Sequence, residues 1–183
     1  MRMSGESFTS GGCAIIATMP DCPDIRVRPV DASLRPALLD LVVHEAQYDF
    51  VGHIAASLAD AAMCEGSEAM AILRKGEPIG FYRLEHHPRS IADMTFERTT
   101  VGLRSFFIDA RWQGQGLGTR ALAVAMADLS RRHPQVRDVV LTVNLRNTSA
   151  IALYRHAGFR EAAGLYHGGR SGPQYVMLCA LPP

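Results

Sequence analysis

The stretch that most constrains this chain is Gln113-Gly114-Gln115-Gly116-Leu117-Gly118-Thr119, together with what flanks it. Upstream, the apolar run Ser105-Phe106-Phe107-Ile108 reads as a buried strand. Downstream, Leu117, Ala121, Leu122, Ala125, Met126 and Leu129 recur at helical spacing until Arg131-Arg132-His133-Pro134 ends the pattern. A strand that feeds a helix through a glycine-rich turn aims free backbone N–H groups and the positive helix end at an anion. Glycines at every second position keep Cβ atoms out of a phosphate's way.

Two familiar phosphate loops do not fit these residues. A P-loop needs a lysine after its last glycine, and none follows here. A dinucleotide fingerprint beginning at Gly114 and Gly116 needs a third glycine at position 119, which is Thr119. The pattern present is Gln-x-x-Gly-x-Gly, at Gln113, Gly116 and Gly118.

At 183 residues the chain suits one domain, and 48% hydrophobic with 20% charged residues is ordinary for a soluble protein. No run approaches the roughly 20 apolar residues of a membrane span. Cys13, Cys22, Cys64 and Cys179 have neither metal-ligand spacing nor disulfide density, so a reducing cytoplasm is expected. The seven histidines show no zinc spacing, and no metal is expected. The net charge of +1 hides an asymmetry. Asp31 to Glu97 holds 11 acids against 5 bases, whereas Arg98 to Arg170 holds 11 arginines against 4 acids. A basic half suits an anionic cofactor and an acidic half a cationic substrate; two differently charged solvated surfaces explain the counts equally well.

Along the chain, Met1 to about Asp24 reads as a loosely held leader, and the domain runs from Ile25 to Pro183. Ile25 to Val30 alternates as an edge strand, Leu34 to Ala46 carries helical periodicity, and a second helix is expected from Ser57 to Cys64. Ala69–Arg74 and Ile79–Leu84 flank Lys75-Gly76-Glu77-Pro78 as a hairpin. Strands are further expected at Val101–Ile108, Asp138–Val143, Phe159–Tyr166 and Gln174–Leu181, with a helix at Asn147–Ala157 that Asn147 caps and Gly158 stops. Cys64 and Cys179 fall in apolar patterns and are expected in the core. The order β-α-α-β-β-β-α-β-α-β-β describes a mixed α/β domain.

After the fifth strand stands Asn144-x-x-Asn147-x-x-Ala150-x-x-Leu153-Tyr154-x-x-x-Gly158-Phe159. This block and the Gln113–Gly118 loop, one helix and one strand apart, together resemble the GNAT superfamily of acetyl-CoA-dependent N-acetyltransferases. The resemblance spans Ile25 to Leu181. Within it, Phe106-Phe107-Ile108-Asp109, Phe50-Val51 and Ser57-Leu58-Ala59-x-Ala61 are similar to bacterial diamine and polyamine acetyltransferases.

The resemblance implies a mixed sheet of about seven strands with about four helices, its fourth and fifth strands splayed around acetyl-CoA. Phe106, Phe107 and Ile108 would bond pantetheine and the thioester carbonyl mainly through their backbone. Gln113 to Thr119 would surround the pyrophosphate, and Asn147 and Tyr154 would lie along the cofactor's far side. Tyr154 would protonate the leaving thiolate.

The base is open. The fourth-strand positions where many relatives carry a carboxylate are Arg104 and Ser105 here. Glu85 is the first substitute, ahead of His86 and Glu45, and a water-mediated route stands beside it. Arg104 instead suits an acidic neighbour or an anionic substrate group. His167 and the Gly168–Pro173 turn read as a hairpin turn, with a border of the substrate pocket as the second reading.

The leading expectation is acetylation of a small-molecule amine, polyamine or diamine first, then amino acid or aminoglycoside. A protein lysine or N-terminus is the alternative acceptor, and a non-catalytic acyl-CoA sensor the alternative class. A homodimer is a family expectation. Nucleic acid is disfavoured, because the arginines are spread without interleaved aromatics.

Overall fold

The computed structural model describes residues 24–87, 91, 94–162, 164–169 and 171–182. The expected leader therefore lies outside the described residues except for Asp24, as do Cys13 and Cys22. The elements are β1 (Ile25–Pro29), α1 (Arg35–Leu39), a 3₁₀ turn (Glu45–Gln47), α2 (Tyr48–Val51), α3 (Ile54–Met63), β2 (Ser67–Arg74), β3 (Glu77–Glu85) and β4 (Thr100–Ile108). A second 3₁₀ turn (Ala110–Trp112) then leads to α4 (Leu117–Arg132), β5 (Asp138–Asn144), α5 (Thr148–His156), β6 (Arg160–Glu161) and β7 (Gln174–Ala180). The seven strands form one sheet in the order β1-β2-β3-β4-β5-β7-β6. No described helix is long and apolar enough to cross a membrane.

The sheet is covered on both faces. The regular apolar stripe of α4 places Leu117, Leu122, Met126 and Leu129 against Met70, Ile72, Tyr82 and Leu141, and Tyr154 and Phe159 extend that core. On the opposite face α1 and α3 bury Leu38, Ile54 and Leu58 on Ala71, Phe81 and Phe107. Ile91 and Met94 close over Val140 and Val176.

β4 and β5 are parallel, but their pairing covers only Thr100–Gly102 against Asp138–Val140. Beyond Gly102 they diverge, while β4 continues along β3 to Ile108. Between the pairs Arg83↔Arg104 and Phe81↔Phe107, β4 carries one residue more than β3, and Ser105 adopts a φ of 51°. This bulge bends β4 away from its neighbour and opens the sheet.

Four expectations change. The helix expected over Leu34–Ala46 stops at Leu39. The Asp109 carboxylate accepts the Val42 N–H (2.9 Å) and the Val42 carbonyl accepts the Ala110 N–H (2.8 Å), so tertiary partners take groups a helix would use. Val42 faces solvent and Val43 the core. The second helix starts earlier, at Ile54, and the short α2 precedes it. Cys64 is exposed at the end of α3, whereas Cys179 is buried as expected. The strand expected over Phe159–Tyr166 shrinks to Arg160–Glu161 plus an isolated bridge from Tyr166 to Gln174.

Candidate active site

The glycine turn sits where the sheet opens. Gly114 and Gly116 take φ of 75° and 69°, left-handed values that disfavour other residues, and a Cβ built on either meets nothing within 4 Å. Conformation rather than crowding therefore requires glycine at both. Gly116 begins the 16-residue α4 without a side-chain cap, so the first-turn N–H groups are not consumed by one. Gln113 fixes the loop's approach. Its Nε2 donates to the Ile108 carbonyl (2.7 Å) and to Gln47 Oε1 (2.9 Å), and Gln47 Nε2 donates back to Gln113 Oε1 (3.1 Å).

A cleft of about 270 Å³ runs from this loop into the opening between the strands. Phe106, Phe107, Ile108, Gln113, Gly114, Gly116, Leu117, Gly118, Thr119 and Asn147, all singled out from the sequence, line it; Gln115 does not. Gln47, Trp112, Ser149 and Leu153 also line it. Gln47 carried no pattern of its own, because folding alone brings it to the loop, whereas Trp112 directly precedes Gln113 in the chain. The Phe107 carbonyl faces β3, where a Cβ on Gly80 would come within 2.4 Å of it. By strand alternation the neighbouring peptide groups turn toward the opening.

A second cavity, of about 430 Å³, lies beyond the opening. Val51, Phe106, Asn147 and Ala150 border both spaces. Tyr154 lines the second cavity from α5. Its ring meets Phe159 edge-on (5.5 Å between centroids), and burial pushes its phenol well above the ordinary value. Asn147 caps α5 by accepting the Ala150 N–H (3.2 Å) while bordering both spaces.

The second cavity carries both signs of charge: Asp49 and Asp60, with Arg83 and Arg104. Burial, then the adjacent Arg83, pulls the Arg104 guanidinium down from its ordinary value. At one edge Ser171 Oγ donates to the Asp49 carbonyl (2.5 Å), and Asn144 Nδ2 donates to the Ser171 carbonyl (2.8 Å). The turn before β7 is thereby fastened to α2. Tyr166, Gly168 and Gly169 line the cavity beside it, and His167 does not.

Glu85 lines neither cavity. It is buried at the end of β3, 3.9 Å from Arg83 Nη2 and paired in register with Gly102. His86 stands with Glu68 (3.7 Å) and His133 away from both cavities, and Glu45 is exposed outside them. The sequence criterion for a base, a carboxylate near the end of the third strand, does not report which way the side chain turns.

Residues 37–159 match the model of the "Acetyltransferase (GNAT) family". The spermine/spermidine N(1)-acetyltransferase of Bacillus subtilis is 30% identical over 136 residues, covering 74% of this chain and 88% of that protein. An aminoglycoside N(6')-acetyltransferase type 1 of Stenotrophomonas maltophilia is 32% identical over 143 residues, covering 76% and 87%. The crystal structure of spermidine N-acetyltransferase from Vibrio cholerae, solved with CoA and spermine, shares the fold. Its TM-score is 0.64 at 15% identity, covering 86% of this chain and 96% of that one.

Proposed function

The chain belongs to the acetyltransferase (GNAT) family, and from that premise we propose that it moves the acetyl group of acetyl-CoA onto a primary amine of a small molecule by direct attack in a ternary complex. Acetyl-CoA is the co-substrate of this acetyltransferase family. The observation that carries the acceptor reading is the junction of two cavities at Phe106, Asn147 and Ala150, one edged by an uncapped helix start and the other by a buried tyrosine.

The first cleft fits the co-substrate's chemistry. Unconsumed N–H groups at the start of α4 suit a diphosphate, and the β4 edge freed beyond Gly102 suits the amides of pantetheine. Peptide N–H groups beside Phe107 would stabilise charge growing on the thioester oxygen. Tyr154, a phenol that is protonated at neutral pH, would supply the leaving thiolate's proton. An alkylammonium has a pKa near 10.4, so freeing its lone pair at pH 7 costs roughly 4–5 kcal/mol. With Glu85 outside the cavities, a water route through the second cavity, which Asp49 and Asp60 line, supports that proton loss better than Glu85.

The second cavity is bounded, and its edge is tied by Ser171 to Asp49, which favours a small molecule over a polypeptide acceptor. Among small amines, likeness to the Bacillus enzyme supports a polyamine, and Asp49 and Asp60 suit one. Arg83 and Arg104 favour a second reading, an amine that also carries an acidic group.

Release of free thiol from acetyl-CoA across a panel of small amines tests the proposal. Turnover on at least one supports it. Acetyl-CoA binding without turnover on any would favour a non-catalytic sensor, and turnover only on peptide lysines or N-termini would move the acceptor to protein.

A further inference from the structure

We infer that the acceptor carries an acidic group beside its amine, an amino-acid-like zwitterion rather than a polycation, held by Arg83 and Arg104. The inference rests on the acetyltransferase reading above and names the substrate class of that site.

Arg83 of β3 and Arg104 of β4 are direct partners in the antiparallel register, and both line the second cavity. Directly opposed strand residues have Cβ atoms about 4.5–5.5 Å apart, and like charges so placed repel. Arg83 is also 4% exposed. Its charge neighbours, Asp60 at 3.5 Å and Glu85 at 3.9 Å, stand at or beyond the limit of a hydrogen bond. Its Nε is buried without a hydrogen-bond partner among the described residues. A guanidinium presents five N–H donors in a fork that matches a carboxylate or phosphate. An anion in this cavity would lie against the guanidinium surface that lines it and offset the repulsion between two opposed like charges.

The two cavity carboxylates hold a cation more weakly. The side chains of Asp49 and Asp60 are 66% and 69% exposed, so water and salt screen their pull on a polycation. The Arg83 side chain is 5% exposed and is offset by the equally buried Glu85, and Arg104 adds a second positive charge to the same wall. The arrangement therefore binds the anionic end inside and leaves rim carboxylates to steer the ammonium. Tyr154 shares the cavity, so an anchored anion also sets where the amine stands relative to it.

Matched acceptors test the inference with the full chain: L-lysine against 1,5-diaminopentane, L-ornithine against 1,4-diaminobutane, and spermidine as reference. The expected result is a kcat/KM about tenfold or more higher for the carboxylate-bearing member of each pair, the size of a charge-assisted hydrogen bond. Arg104→Gln should erase that preference with KM for acetyl-CoA held, and Arg104→Lys, which keeps the charge, should retain part of it. Circular dichroism confirms that each variant is folded; if Arg104→Gln is not, the paired-substrate ratios of the unaltered protein and Arg104→Lys decide alone. Diamines or spermidine turned over in preference to the amino acids would overturn the inference and leave the acetyl-transfer reading intact. An Arg104→Gln variant that slows both members of a pair equally would also overturn it. Acetyl-CoA binding with no acceptor turned over would overturn both.

Discussion

Gln47 and Gln113, 66 residues apart, exchange a reciprocal pair of amide hydrogen bonds at 2.9 and 3.1 Å. One end of the pair precedes α2 beside the acceptor cavity, and the other opens the glycine loop. The loop's position is thus held from outside its own sequence. Gln47→Ala removes this tie and should raise KM for acetyl-CoA about three- to tenfold with kcat little changed, as expected for losing hydrogen bonds of about 0.5–1.5 kcal/mol. Steady-state kinetics at saturating amine reads it, and an unaltered KM would mean that the Ile108 carbonyl alone positions Gln113.

Gly116 separates conformational need from space. Gly116→Ala would meet open space but must hold a left-handed backbone, at a cost of about 1–2 kcal/mol. For a domain of this size that lowers Tm by a few degrees. Gly118 has no left-handed φ, and a Cβ there finds ordinary contacts at 3.9 Å from Leu153 and 4.0 Å from Ile108. Thermal melts without ligand should therefore rank Gly118→Ala closer to the unaltered protein. The reverse ranking would refute the backbone explanation.

Tyr154→Phe should lower kcat about a hundredfold or more, the scale of a general acid, while calorimetry finds acetyl-CoA affinity nearly unchanged. Because burial raises the phenol above its usual value near 10, its ionisation should impose no descending limb on the rate below about pH 10. A full-rate phenylalanine variant would remove Tyr154 from the acid role.

Glu85→Gln serves as the contrast. Its carboxylate faces Arg83 and lines neither cavity, so the alkaline rise in rate should survive the substitution. A profile that goes flat would restore Glu85 as the base.

Asp109 is fully buried, and burial alone would raise its pKa. The Arg111 side chain, with the N–H groups of Val42 and Arg111, outweighs that and holds it below the ordinary carboxyl value. A carboxyl depressed in the folded state adds stability that is present above its unfolded pKa and lost as pH falls through the folded one. Asp109→Asn should therefore lower stability at pH 7 and flatten the acid unfolding curve below about pH 4. Equal acid sensitivity in both proteins would show that other groups set the transition.

The local code was strong where one element satisfies itself. The apolar stripe of α4, the Lys75-Gly76 hairpin, the cap on Asn147 and the paired motifs around the cleft could all be read directly, because spacing and turn chemistry act within a few residues. The order of elements also followed from local patterns, whereas the opening of the sheet was expected only from the family resemblance. Folding in three dimensions decided the rest. Val42 gave up its helix for the Asp109 carboxylate, Gln47 reached the loop from 66 residues away, and Arg83 met Arg104 beside a bulge that no pattern announces. A sequence specifies which groups want partners, whereas the identity of distant partners, and hence the charge of a cavity wall, depends on register and strand bending that exist only once the sheet is built.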